Sequence, residues 1–391
     1  MMRLLFTPYS FKKFFDKNKR VSGIDESIIR QADCLKAAGH EVLFYLPYSN
    51  YVGDEYKVFS TDTGAPYQQN KDAVLQSLRK TITEFNPDCI LSSTSFNKLI
   101  FRCFDGYPVF YLTHCLPGSP ADMAMAPFLR EFLARGNTLG CVSEFHKMKT
   151  NSFYSHPRKL WGGTMDIQVD HVVPSSYSEA VDVVESDTKT VAHISACNAW
   201  KGTFIPHKML HKQKRFISDT YTTTKHLGGD KEMEYWNDSM PKFSADNFPH
   251  LHTTLDVPHS ELMKRIKTAI CFYVSKSTTE TFSITAIEAL QTGLPVLFYG
   301  KQHVHPANDF VEPKFKKYIA YFTTEAEFIA HVNEFSTMTL DDRTELAQSC
   351  VRTMGRDKFT AKYESAIYNT INRFKNISAS AQTGLEGFFN D

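Results

Sequence analysis

Motifs typical of zinc and redox centres are absent from this sequence of 391 residues. Its eight cysteines are scattered singly along the chain, and no two of them have Cys-x-x-Cys spacing. This pattern argues against a zinc site or a redox motif. It predicts reduced, buried thiols in a cytosol-like compartment.

Long apolar runs and a strong net charge are also absent. No stretch approaches transmembrane length, and the N-terminal sequence MMRLLFTPYSFKKFF lacks the long apolar core and cleavage site of a signal peptide. We therefore expect a soluble, cytoplasmic protein. The formal net charge is only +1, so the overall charge predicts no partner. No internal repeat of solenoid length is evident.

The composition, 42% hydrophobic and 22% charged, is typical of a globular α/β protein, and the length suits two domains. Short apolar runs alternate with helical stretches, which predicts parallel sheets. The Ser-rich, acidic segment 174–187 interrupts this alternation. The predicted parts are an N-terminal domain at 1–174, a C-terminal domain at 188–356, a final helix at 357–375 and a disordered tail at 376–391.

The stretch 280–296, ETFSITAIEALQTGLPV, is the most informative part of the chain. The apolar run before it, 269–274, predicts a buried strand, and Ile284, Ile287 and Leu290 at helical spacing predict a helix. A glycine and a proline end this helix before the next apolar run. In such a unit the loop lies at the carboxyl ends of the parallel strands, where α/β sheets bind ligands.

The loop before this helix suits a phosphate, because free N–H groups at a helix start bind anions. Thr281, Phe282 and Ser283 are the predicted contacts. Glu280, just outside the helix, and Glu288, inside it, would repel phosphate and so need other partners. An ionised carboxylate only accepts hydrogen bonds, and sugar hydroxyls can donate them. The loop therefore indicates a nucleotide sugar as the ligand.

The pair Glu280-x7-Glu288, followed by A-L-x-x-G-x-P-V at 289–296, resembles the Glu-x7-Glu signature of retaining GT-B glycosyltransferases of the family-4 type. The alternative is an ordinary βαβ unit with a solvated helix face. The resemblance covers most of residues 1–375. It implies two Rossmann-like domains that face each other across a cleft. The N-terminal domain would face the acceptor, the C-terminal domain would bind a UDP-sugar, and the final helix would cross back to the N-terminal domain.

The resemblance also implies roles for residues outside this stretch. Lys201-Gly202, expected to open a helix, lies where relatives hold the donor diphosphate, but Ala196 replaces an arginine that they also use. The alternative for Lys201 is a surface lysine beside a turn. Gly23 corresponds to one of two adjacent glycines near the donor, and His114 to a histidine near the donor sugar, although a lone histidine is more often structural. The predicted catalytic residues are Glu280, His114 and Lys201.

The resemblance further implies a reaction that retains the anomeric configuration. No Asp-x-Asp sequence occurs, which argues against a metal ion on the donor. We therefore predict an enzyme without metal or cofactor, in which Lys201 and the helix start near 281–283 neutralise the diphosphate. The sequence offers no certain carboxylate nucleophile. This favours a front-face reaction, with the donor phosphate accepting the proton.

Two basic segments are expected on the acceptor side, at 11–20 and 146–159. Positive charge concentrated there in a nearly neutral protein suggests a polyanionic acceptor, although a solvated basic surface is the alternative. The predicted contacts to double-stranded DNA are Lys12, Lys13, Lys17, Lys19, Arg20, Lys147, Lys149, Arg158 and Lys159.

The sequences A-W-K-G at 199–202 and S-E-L-x-x-R at 260–265 are similar to the corresponding places in the DNA α-glucosyltransferases of T-even phages. This local resemblance implies a hydroxymethylated pyrimidine in phage DNA as the acceptor. Two alternatives stay open. The acceptor could be a carbohydrate or small metabolite, or the protein could bind nucleotide sugars or DNA without catalysis.

Overall fold

The chain divides into two compact units, Met1–Ser176 with Asp357–Asp391 (unit 1) and Tyr177–Arg356 (unit 2). The boundary between Ser176 and Tyr177 falls inside the Ser-rich segment 174–187. The computed structural model describes residues 1–8, 23–46, 56–59, 71–93, 98–118, 120–155, 167–195, 199, 201–222, 230–243, 246–276, 281–301 and 306–388.

Unit 1 is built on a sheet of seven parallel strands. They are β1 (Arg3–Thr7), β2 (Glu41–Tyr45), β3 (Lys57–Phe59), β4 (Cys89–Ser92), β5 (Val109–Thr113), β6 (Thr138–Cys141) and β7 (His171–Val172). Their order in the sheet is β3-β2-β1-β4-β5-β6-β7, and every neighbouring pair is parallel. The central strands β1, β4 and β5 are mostly apolar and buried, as expected for a parallel sheet covered on both faces.

Helices of unit 1 connect these strands. They are α1 (Gly23–Ala37), α2 (Lys71–Phe85), α3 (Lys98–Arg102), α4 (Pro120–Ala134) and α5 (Glu144–Ser155). The first turn of α1 carries Asp25 and Glu26 and its last turn carries Lys36, which suits the helix dipole. Apolar side chains of α2 and α4 join those of β4 and β5 in one buried core.

Unit 2 contains a sheet of six parallel strands. They are β8 (Thr190–Ile194), β9 (Ile217–Thr222), β10 (Leu251–Leu255), β11 (Cys271–Lys276), β12 (Val296–Tyr299) and β13 (Ile319–Phe322). The order is β10-β9-β8-β11-β12-β13, again with every neighbouring pair parallel. The register between β11 and β12 shifts between Tyr273 and Ser275, close to the carboxyl end of β11.

The helices of unit 2 are α6 (Ile205–Leu210), α7 (Asp230–Ser239), α8 (His259–Ile266), α9 (Ile284–Leu290), α10 (Glu325–Phe335) and α11 (Leu340–Met354). Capping boxes start α10, through Thr324 and Glu327, and α11, through Thr339 and Asp342. Each box satisfies two backbone donors that the helix start would leave open.

In both sheets the first strand lies inside the sheet and not at its edge. β1 lies between β2 and β4, and β8 lies between β9 and β11. The chain therefore adds strands on one side of the first strand and then on the other. The crevice outside the carboxyl ends at such a switch point is where open α/β sheets bind ligands. In unit 2, the relevant loops follow β8 and β11.

The last helix, α12 (Arg356–Phe388), packs on unit 1. Tyr363 donates a hydrogen bond to the Pro174 carbonyl at 2.9 Å, and the hydroxyls of Thr370 and Thr138 lie 2.5 Å apart. Gly136, with φ +88°, lies so close to the helix that an added Cβ would be 2.7 Å from the Cα of Phe374. A bare backbone at Gly136 thus allows close contact with α12.

The helix is longer than the sequence suggested. It begins at Arg356 and continues to Phe388, through most of the segment 376–391 for which disorder was expected. No proline follows Arg356, so nothing in the chain forces the helix to stop. Residues 389–391 lie outside the described part of the chain.

Cysteines with free thiols are present in both units, and Cys197 lies outside the described residues. Burial raises the pKa of Cys89, Cys141 and Cys350 to about 12, so these thiols stay protonated. Cys115 is exposed. In the segments that the structure describes, no helix is both long enough and apolar enough to cross a membrane.

Candidate functional site

The start of α9 carries most of the predicted donor-binding residues. Ser283 is its N-cap, and its buried hydroxyl accepts a hydrogen bond from the Ala286 N–H at 3.2 Å. Thr281 and Phe282 are half-buried, and the Phe282 ring packs on Phe310 with centroids 5.0 Å apart. The Ser283 side chain therefore stabilises the helix start. Glu280 lies outside the described residues.

Glu288 lies inside α9 and is only 6% exposed. It shares the helix with buried apolar residues, among them Ile287 and Leu290. Burying an ionised carboxylate is unfavourable unless polar groups surround it.

The turn after β8 carries Lys201. Gly202 has φ +72°, in the left-handed region, and the Lys201 carbonyl accepts a hydrogen bond from the Tyr273 hydroxyl at 3.3 Å. The prediction that Lys201-Gly202 opens a helix is wrong, because a residue with this φ is not helical. The helix that follows, α6, begins at Ile205. Lys201 is presented by a turn.

Lys276, which the sequence analysis did not single out, joins the two loops of the switch point. It is the last residue of β11, and its Nζ donates a hydrogen bond to the Ala199 carbonyl at 2.7 Å. Ala199 is two residues before Lys201. The contact therefore brings a second lysine next to the Lys201 turn, across the boundary between β8 and β11.

Buried hydrogen bonds link His193 through Ser195 to Thr203, in the turn that carries Lys201. The His193 Nδ1–H donates to the Tyr273 carbonyl at 2.8 Å, which leaves Nε2 to accept from the Ser195 hydroxyl at 2.8 Å. The Ser195 oxygen lies 3.1 Å from that of Thr203. Burial, together with the nearby positive charge of Lys201, lowers the pKa of His193 to about 4. His193 is therefore neutral at pH 7, as this donor and acceptor pattern requires.

In unit 1, His114 directly follows β5, as predicted. Burial and the neighbouring His146 lower the pKa of His114 to about 3. His146 is itself buried in α5, where its Nε2–H donates to the Cys115 carbonyl at 3.0 Å, and burial lowers its pKa to about 4. His114 can therefore act as a neutral hydrogen-bonding group at pH 7, but not as a cation.

The remaining predicted residues of unit 1 are only partly described. Gly23 is exposed and is the first residue of α1. Of the basic residues, Lys147 is half-buried and Lys149 exposed, both on α5. The others lie outside the described residues: Lys12, Lys13, Lys17, Lys19, Arg20, Arg158 and Lys159.

Ala196 also lies outside the described residues. Among the residues that are described, no three His, Cys, Asp or Glu side chains are grouped so that they could hold a metal ion. Independence of metal stays a prediction.

No protein-family model matches the chain, and no curated protein matches it significantly in sequence. Solved structures do match it. A glycosyltransferase from Rickettsia africae ESF-5 has a TM-score of 0.69 at 12% identity, covering 95% of this chain and 98% of its own. The chain has the GT-B fold.

Two further GT-B structures match over nearly their whole length. Anabaena Alr3699/HepE in complex with UDP and glucose has a TM-score of 0.66 at 12% identity, covering 94% of this chain and 100% of its own. Sucrose-phosphate synthase from Thermosynechococcus elongatus has a TM-score of 0.63 at 12% identity, covering 97% of this chain and 100% of its own. At this identity the likeness concerns the fold, and it confirms the predicted fold class.

Proposed function

We propose that this protein is a retaining glycosyltransferase that moves a sugar from a nucleoside diphosphate, UDP in the first instance, to a hydroxyl acceptor. The observation that carries the proposal is the hydrogen bond from Lys276 Nζ to the Ala199 carbonyl, two residues before Lys201, at the switch point of unit 2. The buried Glu288 lies on the helix that follows the second of these loops. HepE, which has the same fold, was crystallised with UDP and glucose, and this supports UDP as the nucleotide.

In this proposal the two lysines bind the diphosphate. Negative charge grows on the leaving phosphate as the sugar departs, and fixed positive groups aimed at that charge lower the barrier. Lys276 would take the place of the arginine that relatives have where this chain has Ala196. The Ala199 carbonyl accepts the Lys276 hydrogen bond and so holds its ammonium group beside the Lys201 turn.

The carboxylates and the histidine would bind hydroxyl groups. Glu288 would accept hydrogen bonds from the ribose and Glu280 from the transferred sugar, and neutral His114 would bind a sugar hydroxyl. Gly23 and the residues 281–283 approach the phosphates through their backbone N–H groups.

The reaction would proceed on one face of the sugar. The bond from the anomeric carbon to the phosphate oxygen breaks, and a bond to the acceptor oxygen forms on the same side. The proton of the acceptor hydroxyl passes to the departing phosphate oxygen. This route needs neither a protein nucleophile nor a metal ion, so EDTA should leave activity intact.

Calorimetric titration with UDP and with uridine tests the donor site. Lys276→Ala should weaken UDP binding by about 1.5–3 kcal/mol, the usual worth of a hydrogen bond to a charged group, and leave uridine binding unchanged. Glu288→Gln should weaken both ligands equally, because both contain the ribose. Lys264→Ala, at an exposed lysine of α8, is the matched control.

Wild-type protein that does not bind UDP would refute the donor assignment. Equal losses of UDP and uridine in Lys276→Ala would mean that Lys276 only positions the loop. Hydrolysis of a panel of UDP-sugars then separates an enzyme from a protein that binds nucleotide sugars without catalysis.

For the acceptor we propose double-stranded DNA, with a hydroxymethylated pyrimidine as the reacting group. The support is the basic character of 11–20 and 146–159 together with the local resemblance to phage DNA α-glucosyltransferases. If these residues contact DNA phosphates, affinity should fall with salt, with a log–log slope of about −0.9 per phosphate contacted.

Charge reversal at Lys13 and Lys17 should flatten this slope and leave UDP-sugar hydrolysis nearly unchanged. A fluorescent duplex titrated at two salt concentrations measures both effects. No binding at low salt would eliminate DNA and favour a carbohydrate or small-molecule acceptor.

A further inference from the structure

Unit 1 contains a pocket of about 420 Å³ that is lined by none of the described residues predicted for the donor or acceptor site. It is formed by the turns that precede β5 and β6, the end of α4 and one face of α12. These turns lie at the amino ends of the strands, whereas His114 lies at a carboxyl end. Five residues of strand at about 3.3 Å each separate the two edges, roughly 16 Å along β5.

The floor of the pocket is aromatic and already ordered. Its apolar lining residues are Phe101, Phe104, Phe128, Phe132, Phe374 and Ile377. The Phe101 ring packs edge-on against Phe104 and Phe132, with centroids 5.5 Å and 5.0 Å apart. The close contact at Gly136 fixes the α12 wall. A preformed apolar cavity of this size is typical of small-molecule sites.

The rim of the pocket carries two arginines and two carboxylates, and among the described residues only one of the arginines is ion-paired. Arg135 is paired with Asp105 at 2.7 Å and with Glu131 at 2.5 Å. Arg102, at the end of α3, lines the same pocket, and in the described part of the chain no carboxylate lies within ion-pair distance of it. Both acids on the rim are thus engaged by Arg135, and the guanidinium of Arg102 is the rim cation that a bound carboxylate can pair with.

We propose that this pocket binds a small amphipathic carboxylate. Its hydrocarbon or aromatic body would lie among the phenylalanines, and its carboxylate would pair with Arg102. Apolar burial supplies the affinity, and the arginine selects an acid over a neutral or cationic molecule of the same shape. This inference is independent of the glycosyltransferase proposal.

Octanoate and 1-octanol are matched probes, because they share the hydrocarbon chain and differ in the charged end. Ligand-observed NMR titration should show saturable binding of both to the wild-type protein. Octanoate should bind about two- to five-fold more tightly, the range expected for a partly exposed ion pair. Arg102→Gln should remove this preference without weakening octanol, and Arg102→Lys should retain most of it.

Two further variants make the test decisive. Arg130→Gln, at an exposed arginine of α4 outside the pocket lining, should bind both probes like wild type. Ile377→Asp should abolish binding of both probes, and the fold should tolerate it because Ile377 is 36% exposed. Thermal melts of all variants check folding.

Several results would overturn the proposal. These are no saturable binding of octanoate to wild type, equal binding to Ile377→Asp, or an unchanged preference in Arg102→Gln. If Ile377→Asp instead dissociated a dimer that does not bind octanoate, the pocket would be a contact between two copies of the chain, and the small-molecule assignment would be wrong.

Discussion

Gly202 shows how a single residue determines the position of the candidate diphosphate contact. An alanine Cβ there would lie 2.5 Å from Ile205 Cδ1 and 3.0 Å from the Tyr273 hydroxyl. That hydroxyl is the group that donates to the Lys201 carbonyl. A side chain at position 202 would therefore displace Ile205 or the hydroxyl that holds the Lys201 carbonyl.

Gly202→Ala should accordingly cost more than the left-handed backbone alone. Gly39 is the matched control, because its φ is +87° but nothing lies within 4 Å of an added Cβ. Both alanines carry the left-handed cost of about 1–2 kcal/mol. Only Gly202→Ala should lower the free energy of unfolding by more than this cost and also weaken UDP binding. Denaturant midpoints and UDP titrations measure the two effects, and equal behaviour of the two variants would contradict the argument.

At the scale of elements, the attachment of α12 to unit 1 depends on a similar close approach. Gly136 has φ +88° and its nearest neighbour is the backbone of Phe374, which cannot rotate away as a side chain could. Gly106 has φ +89° in the same unit and open space around it. A comparison of alanine at the two positions therefore separates the free-energy cost of the left-handed backbone from the cost of displacing α12.

Gly136→Ala should loosen α12, whereas Gly106→Ala should lower stability only by about the left-handed cost. Hydrogen exchange read by mass spectrometry should show faster exchange in α12 around residue 374 for Gly136→Ala alone. Unchanged protection there would mean that the helix shifts without loss of contact.

The elements that the sequence predicted well are those with strong apolar patterns. β4 and β12 are short apolar runs that lie in sheet interiors, and the Ile284–Leu290 spacing correctly predicted α9. β9, ISDTYT, and β10, LHTTL, were not identified, because polar side chains make up most of both. β9 pairs with β8, and β10 pairs with β9, and no local pattern encodes this pairing.

The candidate site, too, was predicted from the sequence only in part. Apolar spacing correctly predicted the helix that carries Glu288, and Ser283 caps its start. The contact of Lys276 with Ala199 joins residues 77 positions apart. It depends on the strand order that places β11 beside β8. The lysine at the end of the apolar run of β11 is visible in the sequence. The strand order is needed to show that this lysine lies beside the loop after β8.

At the scale of the whole molecule, buried neutral histidines should make both units sensitive to acid. Burial lowers the pKa of His114 and His207 to about 3, and of His146 and His193 to about 4. In the unfolded chain these groups titrate near 6.5. Each contribution to stability is therefore fully present above pH 6.5 and is lost as the pH falls from there towards 3 or 4.

The free energy of unfolding should thus fall steadily below pH 6.5, and each histidine should add up to one proton to the number taken up on unfolding. His207 donates and accepts hydrogen bonds with Ser218 and Thr253 at 2.7 Å and 2.9 Å. His207→Gln should lower the slope of unfolding free energy against pH. A slope independent of His207 would contradict this assignment.

The division of unit 1 into two stretches of chain, 1–176 and 357–391, has a consequence for biosynthesis. Domains generally fold as they leave the ribosome, with the N-terminal one first. Here unit 2 is continuous and its whole sequence emerges before α12 does. Unit 1, whose synthesis begins first, therefore receives its last helix only after unit 2 has been synthesised. Until α12 arrives, the apolar surface that it later covers, beside Gly136 and Thr138, remains open to chaperones.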